Sequence, residues 1–198
     1  MENSYTGEVF TFGRNGNANE TASSTGQPPI RVPISFVEPN SQHIYKFAES
    51  SLFTDYFFPQ IKEYISTNYQ LRYGADFSIV PPRDRIFYWR EGEHQGFILL
   101  AINRTNFPIT NIFARGQIVI DAENGYALEN INIALTRETW GIIYPFSAVP
   151  LIIEVTRPQY DTLMNKKVDG IFQSSFIFEA YRLELENAHT GEIFIFGE

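Results

Sequence analysis

The chain has 198 residues, of which 43% are hydrophobic and 16% aromatic, and its formal charge is −8. That composition excludes disorder over the whole length, no apolar run reaches the roughly 20 residues of a membrane helix, and the acidic balance argues against direct nucleic-acid binding. The absence of cysteine excludes disulfides, thiolate catalysis and cysteine-ligated metals together.

Residues 1–29 read as a mobile amino-terminal arm. The start, Met1-Glu2-Asn3-Ser4, lacks the basic and apolar stretches of a secretory leader, which predicts synthesis and folding in the cytoplasm. Tyr5 to Phe12 has the alternation of a strand, with Val9 set against Phe10 and Phe12. Gly13 to Pro29, GRNGNANETASSTGQPP, holds no large apolar residue and reads as a flexible linker. Its root-mean-square span as a Gly/Ser-type coil is on the order of 20–25 Å. Residues 30–198 then read as one β-rich domain.

Ile30 to Phe36 is extended, and Pro33 argues for an edge or irregular strand. The short helical insertion falls near residues 42–68, as two helices over about 42–53 and 59–68. There Ile44, Phe47, Ala48 and Leu52, and later Phe57, Ile61, Tyr64 and Ile65, recur at three- and four-residue steps, and Pro59 must break or begin a helix. Beyond Gly74 the pattern is β. Phe77 to Val80 ends at Pro81-Pro82, and Arg85 to Arg90 with Gln95 to Arg104 flank a hairpin at Glu91-Gly92-Glu93-His94. Ile109 to Phe113, Gln117 to Asp121 and Tyr126 to Leu135 follow, the last two joined by Asn124-Gly125. Trp140 to Tyr144 and Val149 to Thr156 come next, split by Pro145 and Pro150. Ile171 to Leu185 reads as one long or bent strand, and Glu192 to Phe196 closes the chain. Short strands with Gly, Pro and Asn punctuation predict a mainly β chain, an antiparallel β-sandwich or jelly roll.

One feature of the sequence stands apart from this pattern. Thr6 to Gly13 reads TGEVFTFG and Thr190 to Gly197 reads TGEIFIFG, with six of eight positions identical. Each copy has a Gly-Glu entry, then alternating apolar residues with two phenylalanines on one face. A sheet edge that accepts one such strand should accept the other, since strand recognition uses backbone ladders plus sites for alternate side chains. Val9, Phe10, Phe12, Ile193, Phe194 and Phe196 are therefore the candidate assembly residues. Two ordinary strands that converged on one β pattern would look the same.

Signals for chemistry are weaker. His43, His94 and His189 lack metal spacing, and a solvated hairpin tip accounts for Glu91, Glu93 and His94 more simply than a cation site. Asp121 with Glu123, and Glu184 with Glu186, are carboxylate pairs at the i, i+2 spacing common on exposed strands. No nucleophile elbow, phosphate loop or dinucleotide fingerprint occurs, so no enzyme activity, cofactor or metal is expected. Arg83, Arg85, Arg90 and Arg104 form the nearest thing to a basic patch, with Asp84 and Glu91 beside them. Asn19-Glu20-Thr21 and Asn103-Arg104-Thr105 match glycosylation acceptors, idle in a chain without a leader. Trp89, Trp140 and Tyr144 could stack on sugar rings, giving a carbohydrate-binding β-sandwich module as the alternative.

The expected function is structural and non-enzymatic. The chain would form a homo-oligomer or join other structural subunits, most plausibly as a component of a virion or comparable particle. Arginine outnumbers lysine, of which there are four, and arginine is the basic residue enriched at interfaces.

Overall fold

The computed structural model describes residues 33–38, 51–73, 75–82, 87–121, 126–138, 140–165, 167–168, 171–172 and 177–197. The expected arm and the first of the two expected helices as far as residue 50 lie outside the described residues. The strands are β1 (Ser35–Phe36), β2 (Phe77–Val80), β3 (Phe87–Glu91), β4 (His94–Asn103), β5 (Ile109–Asp121), β6 (Tyr126–Leu135), β7 (Ser147–Glu154), β8 (Lys167–Val168), β9 (Ile171–Phe172), β10 (Ile177–Asn187) and β11 (Ile193–Gly197). Among the described residues, the α-helices α1 (Phe58–Thr67) and α2 (Arg157–Asn165) accompany them.

The fold is mainly β, built from two sheets in a sandwich-like arrangement. One sheet runs β1-β7-β4-β2 with β3 also on β4, the other β11-β10-β5-β6, and β8 and β9 pair apart from both. All described pairs are antiparallel except β1 with β7, where Ser35 lies opposite Ser147 in a parallel register. The edge placement predicted from Pro33 holds, since β1 terminates its sheet.

Alternation along β4 shows how the layers stack. Phe97, Leu99 and Ala101 join a core with Ile112, Ala114, Ile118, Leu183 and Leu185 of the facing sheet. Ile98, Leu100 and Ile102 lie in a second core with Phe53, Phe57, Ile61 and Ile65 of the helical segment. A strand covered on both faces needs an unbroken apolar run, and β4 supplies one in FILLAI. The first sheet is thus packed on both faces.

The second expected helix begins around Pro59 as expected, but no gap separates it from the turn before. A π-helical turn, Leu52–Phe57, runs directly into α1, and the Phe58 N–H donates to the Phe53 carbonyl five residues back. A proline ring clashes with the carbonyl four residues earlier, and widening the turn before it relieves that contact without ending the helix. Pro59 therefore sits at the start of α1 and the helix does not break.

Other expectations are corrected in the β region. β5 is one strand of 13 residues rather than two. Gly116, between the two expected strands, lies where a Cβ would collide with the Glu179 carbonyl of β10, so glycine there serves close approach. Trp140 to Tyr144 forms no strand: only Ile143 bridges, to Ile109. Pro150 does not split its strand but lies within β7 opposite Leu100, beyond the two residues that β1 covers. Ile171 to Leu185 divides into β9 and the start of β10. The missed helix α2 had a readable signal. The Thr156 N–H and hydroxyl both donate to the Gln159 side-chain oxygen at 2.9 Å, a Thr-x-x-Gln capping box with Pro158 in the first turn.

The end of β4 is fastened by one side chain. Asn103 is 0% exposed, and its amide donates to the carbonyls of Phe107, Ile143 and Tyr144 at 2.9, 3.0 and 3.2 Å. Its oxygen accepts from the Thr105 N–H and hydroxyl. Buried backbone groups must find partners, and here a short polar side chain gives a second donor to three carbonyls that Thr105, the Ile109 bridge and Ser147 also meet. Asn103 is a structural pin, sealed from any modifying enzyme in the folded chain.

Candidate functional site

β11 is the last strand in the order of the second sheet, and among the described residues no strand pairs beyond it. It is reached by a tight return from β10. The Asn187 side-chain oxygen accepts from the His189 and Thr190 N–H groups, and the Asn187 N–H donates to the Glu192 carbonyl at 2.8 Å. The Thr190 hydroxyl accepts from the Glu192 N–H at 3.2 Å, and Gly191 has φ +72°. The Thr-Gly-Glu of the terminal motif is thus a strand entry: threonine caps, glycine supplies the left-handed backbone, and the strand begins after glutamate.

The strand then pairs antiparallel with β10, Phe196 opposite Leu183 and Phe194 opposite Leu185. Phe194 and Phe196 are half-buried against the inter-sheet core, and Phe194 stacks on Phe107 with centroids 5.7 Å apart. Ile193 and Ile195 face the other way, 60% and 54% exposed. Beside Ile195 across the outer face lie Glu184 and then Phe113, which is also exposed. The two-faced pattern expected of TGEIFIFG is present in full. Val9, Phe10 and Phe12 of the matching copy lie outside the described residues.

The residues of the alternative sugar site are not brought together. Trp89 is 2% exposed, held edge-on by Phe53 at 5.5 Å in the core under the helices. Trp140 is 5% exposed and belongs to the core between the sheets. Tyr144 alone is exposed. Trp89 alternates onto the face of β3 that the helices cover, and Trp140 follows the chain into the sandwich. Neither can stack on a sugar without unfolding its surroundings.

Polar candidates have local structural partners. His94 Nδ1 is 2.6 Å from a Glu154 carboxylate oxygen across the β4–β7 ladder, and among the described residues no three metal-ligating side chains converge. Glu184 pairs with Arg182 at 2.6 Å, and Glu186 accepts from the Asn111 amide at 2.7 Å. Arg104 turns inward, donating to the carbonyls of Leu71 and Ala75 and to the Ser78 hydroxyl, and so ties the helical segment to β2. Arg90 is exposed, and Arg83 and Arg85 lie outside the described residues. Sequence reasoning missed Asn103 and Arg104 as joints. A buried role for either was hidden because their partners, residues 71–78 and 143–144, are distant along the chain.

A cavity of about 10 Å³ lies between Phe77, Ile79, Phe178 and Leu183, about the volume of a single water probe. Nearby in the same core Tyr88 meets Tyr160 edge-on at 6.4 Å. Burial, and then Tyr160 beside it, pushes the Tyr88 phenol far above its usual range. A folded-state value above the unfolded one gives stability that is complete below about pH 10 and lost as pH rises past it. Unfolding in urea between about pH 9.5 and 11 should show stability falling by up to about 1.4 kcal/mol per pH unit from this group. Tyr88→Phe should flatten that slope; an unchanged slope would assign the alkaline loss elsewhere.

No family model, curated protein or solved structure matches the chain.

Proposed function

We propose that this protein is a non-enzymatic assembly subunit, a component of a virion or comparable particle, joined to its neighbours through strand edges and aromatic contacts. One observation carries the reading: the strand at the end of the second sheet has its sequence repeated at the other end of the chain, on a polar tether. A sheet edge is a template for another strand, and natural β proteins cover or use it. Exchange of equivalent elements between copies is a low-cost route to oligomers, and head-to-tail exchange extends into rings or chains. Exposed Ile193, Ile195 and Phe113 beside that edge add apolar surface of the kind subunit contacts bury. The burial of both tryptophans weighs against the carbohydrate-binding alternative.

Size-exclusion chromatography with light scattering should give a mass of two or more chains for the intact protein. A chain starting at Ile30 should elute at lower mass. A monomer in both cases, at concentrations up to about millimolar, would end the assembly reading.

A further inference from the structure

We infer that the edge of β11 is the receiving site for residues 6–13 of a second copy, which adds there as a further strand. This rests on the assembly reading and names both the site and the occupant. The argument begins with chemistry shared by the two segments. In β11 the Thr-Gly-Glu triplet makes the strand entry, Phe194 and Phe196 face the core, and Ile193 and Ile195 face out. Thr6-Gly7-Glu8 carries the same entry chemistry, and Phe10 and Phe12 repeat the same two-residue spacing. A strand laid along β11 with its phenylalanines inward sets ring beside ring and aliphatic or threonine side chain beside isoleucine. Cross-strand aromatic and β-branched pairs are the favourable ones.

Register follows from the same pattern. If the segment runs antiparallel to β11, Phe10 falls beside Phe196 and Phe12 beside Phe194. If it runs parallel, Phe10 falls beside Phe194 and Phe12 beside Phe196. Thr11 lies beside Ile195 in both cases, on the outward face. A shift by one residue would turn both phenylalanines to solvent, so the alternation excludes odd shifts, and among the even ones this pairing sets both rings beside rings.

The length of chain available suits a neighbour. Nineteen residues lie between Gly13 and Pro33, the first described residue, and among the described residues β1 ends the first sheet at the edge opposite β2. Beneath β2 lies β10, the partner of β11: Phe77 and Ile79 line one small cavity with Phe178 and Leu183. The first described strand therefore lies toward the edge away from β11. A linker of this length has a root-mean-square span of about 25 Å, enough to bridge to an adjoining copy.

The absence of cysteine supplies a clean test in the full chain. The variant Thr11→Cys with Ile195→Cys should form a disulfide under mild oxidation, giving species of two or more chains on non-reducing gels. Thr11→Cys with Tyr144→Cys, an equally exposed position before β7, should crosslink at least about tenfold less. Phe10→Ser with Phe12→Ser, added to the first pair, should reduce its crosslink by a similar factor. An intramolecular 11–195 bond would overturn the inference by placing the arm on its own subunit. Equal crosslinking at 144 and 195, or none at 195 while light scattering still reports an oligomer, would overturn the edge as receiving site and leave assembly standing. A monomer without crosslink would remove both.

Discussion

Replacing Phe194 and Phe196 together with serine should lower the unfolding midpoint of the subunit, whereas the same exchange at Phe10 and Phe12 should leave it nearly unchanged and reduce oligomer mass. The asymmetry follows from how each pair is attached. Phe194 and Phe196 pack on the inter-sheet core and are held by a tight return from β10, opposite Leu185 and Leu183. Half-burial of a phenylalanine is worth about 0.75–1.5 kcal/mol, half of the value for full burial. The pair then contributes roughly 1.5–3 kcal/mol, or a fall of about 3–12 °C in a chain of this size. Phe10 and Phe12 precede a polar linker without large apolar residues, so their loss should register between subunits. Thermal unfolding and light scattering on both double variants decide the matter. If the amino-terminal variant melts as low as the carboxy-terminal one and keeps its oligomer mass, the arm is ordinary core and the assembly reading fails.

An effect at least as large is expected at Asn103, for a reason that hydrophobic burial does not supply. Asn103→Asp preserves shape but removes the donors that face the Phe107, Ile143 and Tyr144 carbonyls. A carboxylate there would confront three oxygens in a site with no solvent. Each carbonyl keeps a second donor, from Thr105, Ile109 and Ser147 in turn, so the cost is that of a buried carboxylate facing them without a donor of its own, about 3–5 kcal/mol. Lowering pH should restore part of it, because a protonated carboxyl regains one donor. Urea unfolding of wild type and variant at about pH 7 and pH 4.5 measures both parts. Equal stability at pH 7 would show that solvent reaches these carbonyls and that Asn103 is no pin.

Much of the architecture could be read from local pattern, and the failures share one origin. Alternation located β2, β6 and β11 within a residue or two, and Asn124-Gly125 falls between strands that pair with Asp121 opposite Tyr126. Each of those signals is complete within about ten residues. The gap expected before Gln117, at Gly116, and the split expected at Pro150 are both absent. The reasons, a neighbouring backbone at Glu179 and the early end of β1, lie elsewhere in the chain. Trp140 looked like a strand start for the same reason, since only its tertiary surroundings reveal a turn packed into the core. At the candidate site the motif TGEIFIFG disclosed its two faces and its entry turn. Its position at the end of a sheet could not be read, because strand order is a property of the whole fold.

That strand order also governs how the chain is made. β10 lies between β5 and β11, pairing Val119 with Ile177 and Ile109 with Asn187. The β5–β6 hairpin therefore leaves the ribosome long before the strand that completes its sheet. Until residue 187 emerges, Ile112, Ala114 and Ile118 have only the first sheet and their own hairpin partner to cover them. Such long-range closure is slow compared with hairpin formation, and the waiting intermediate presents an open sheet edge to every other nascent chain nearby. The last strands to be synthesised thus close the body, and the same late step delivers the β11 edge. Under the proposed exchange, a copy offers residues 6–13 before residue 187 is made, but it receives them only after residue 197 has joined its sheet.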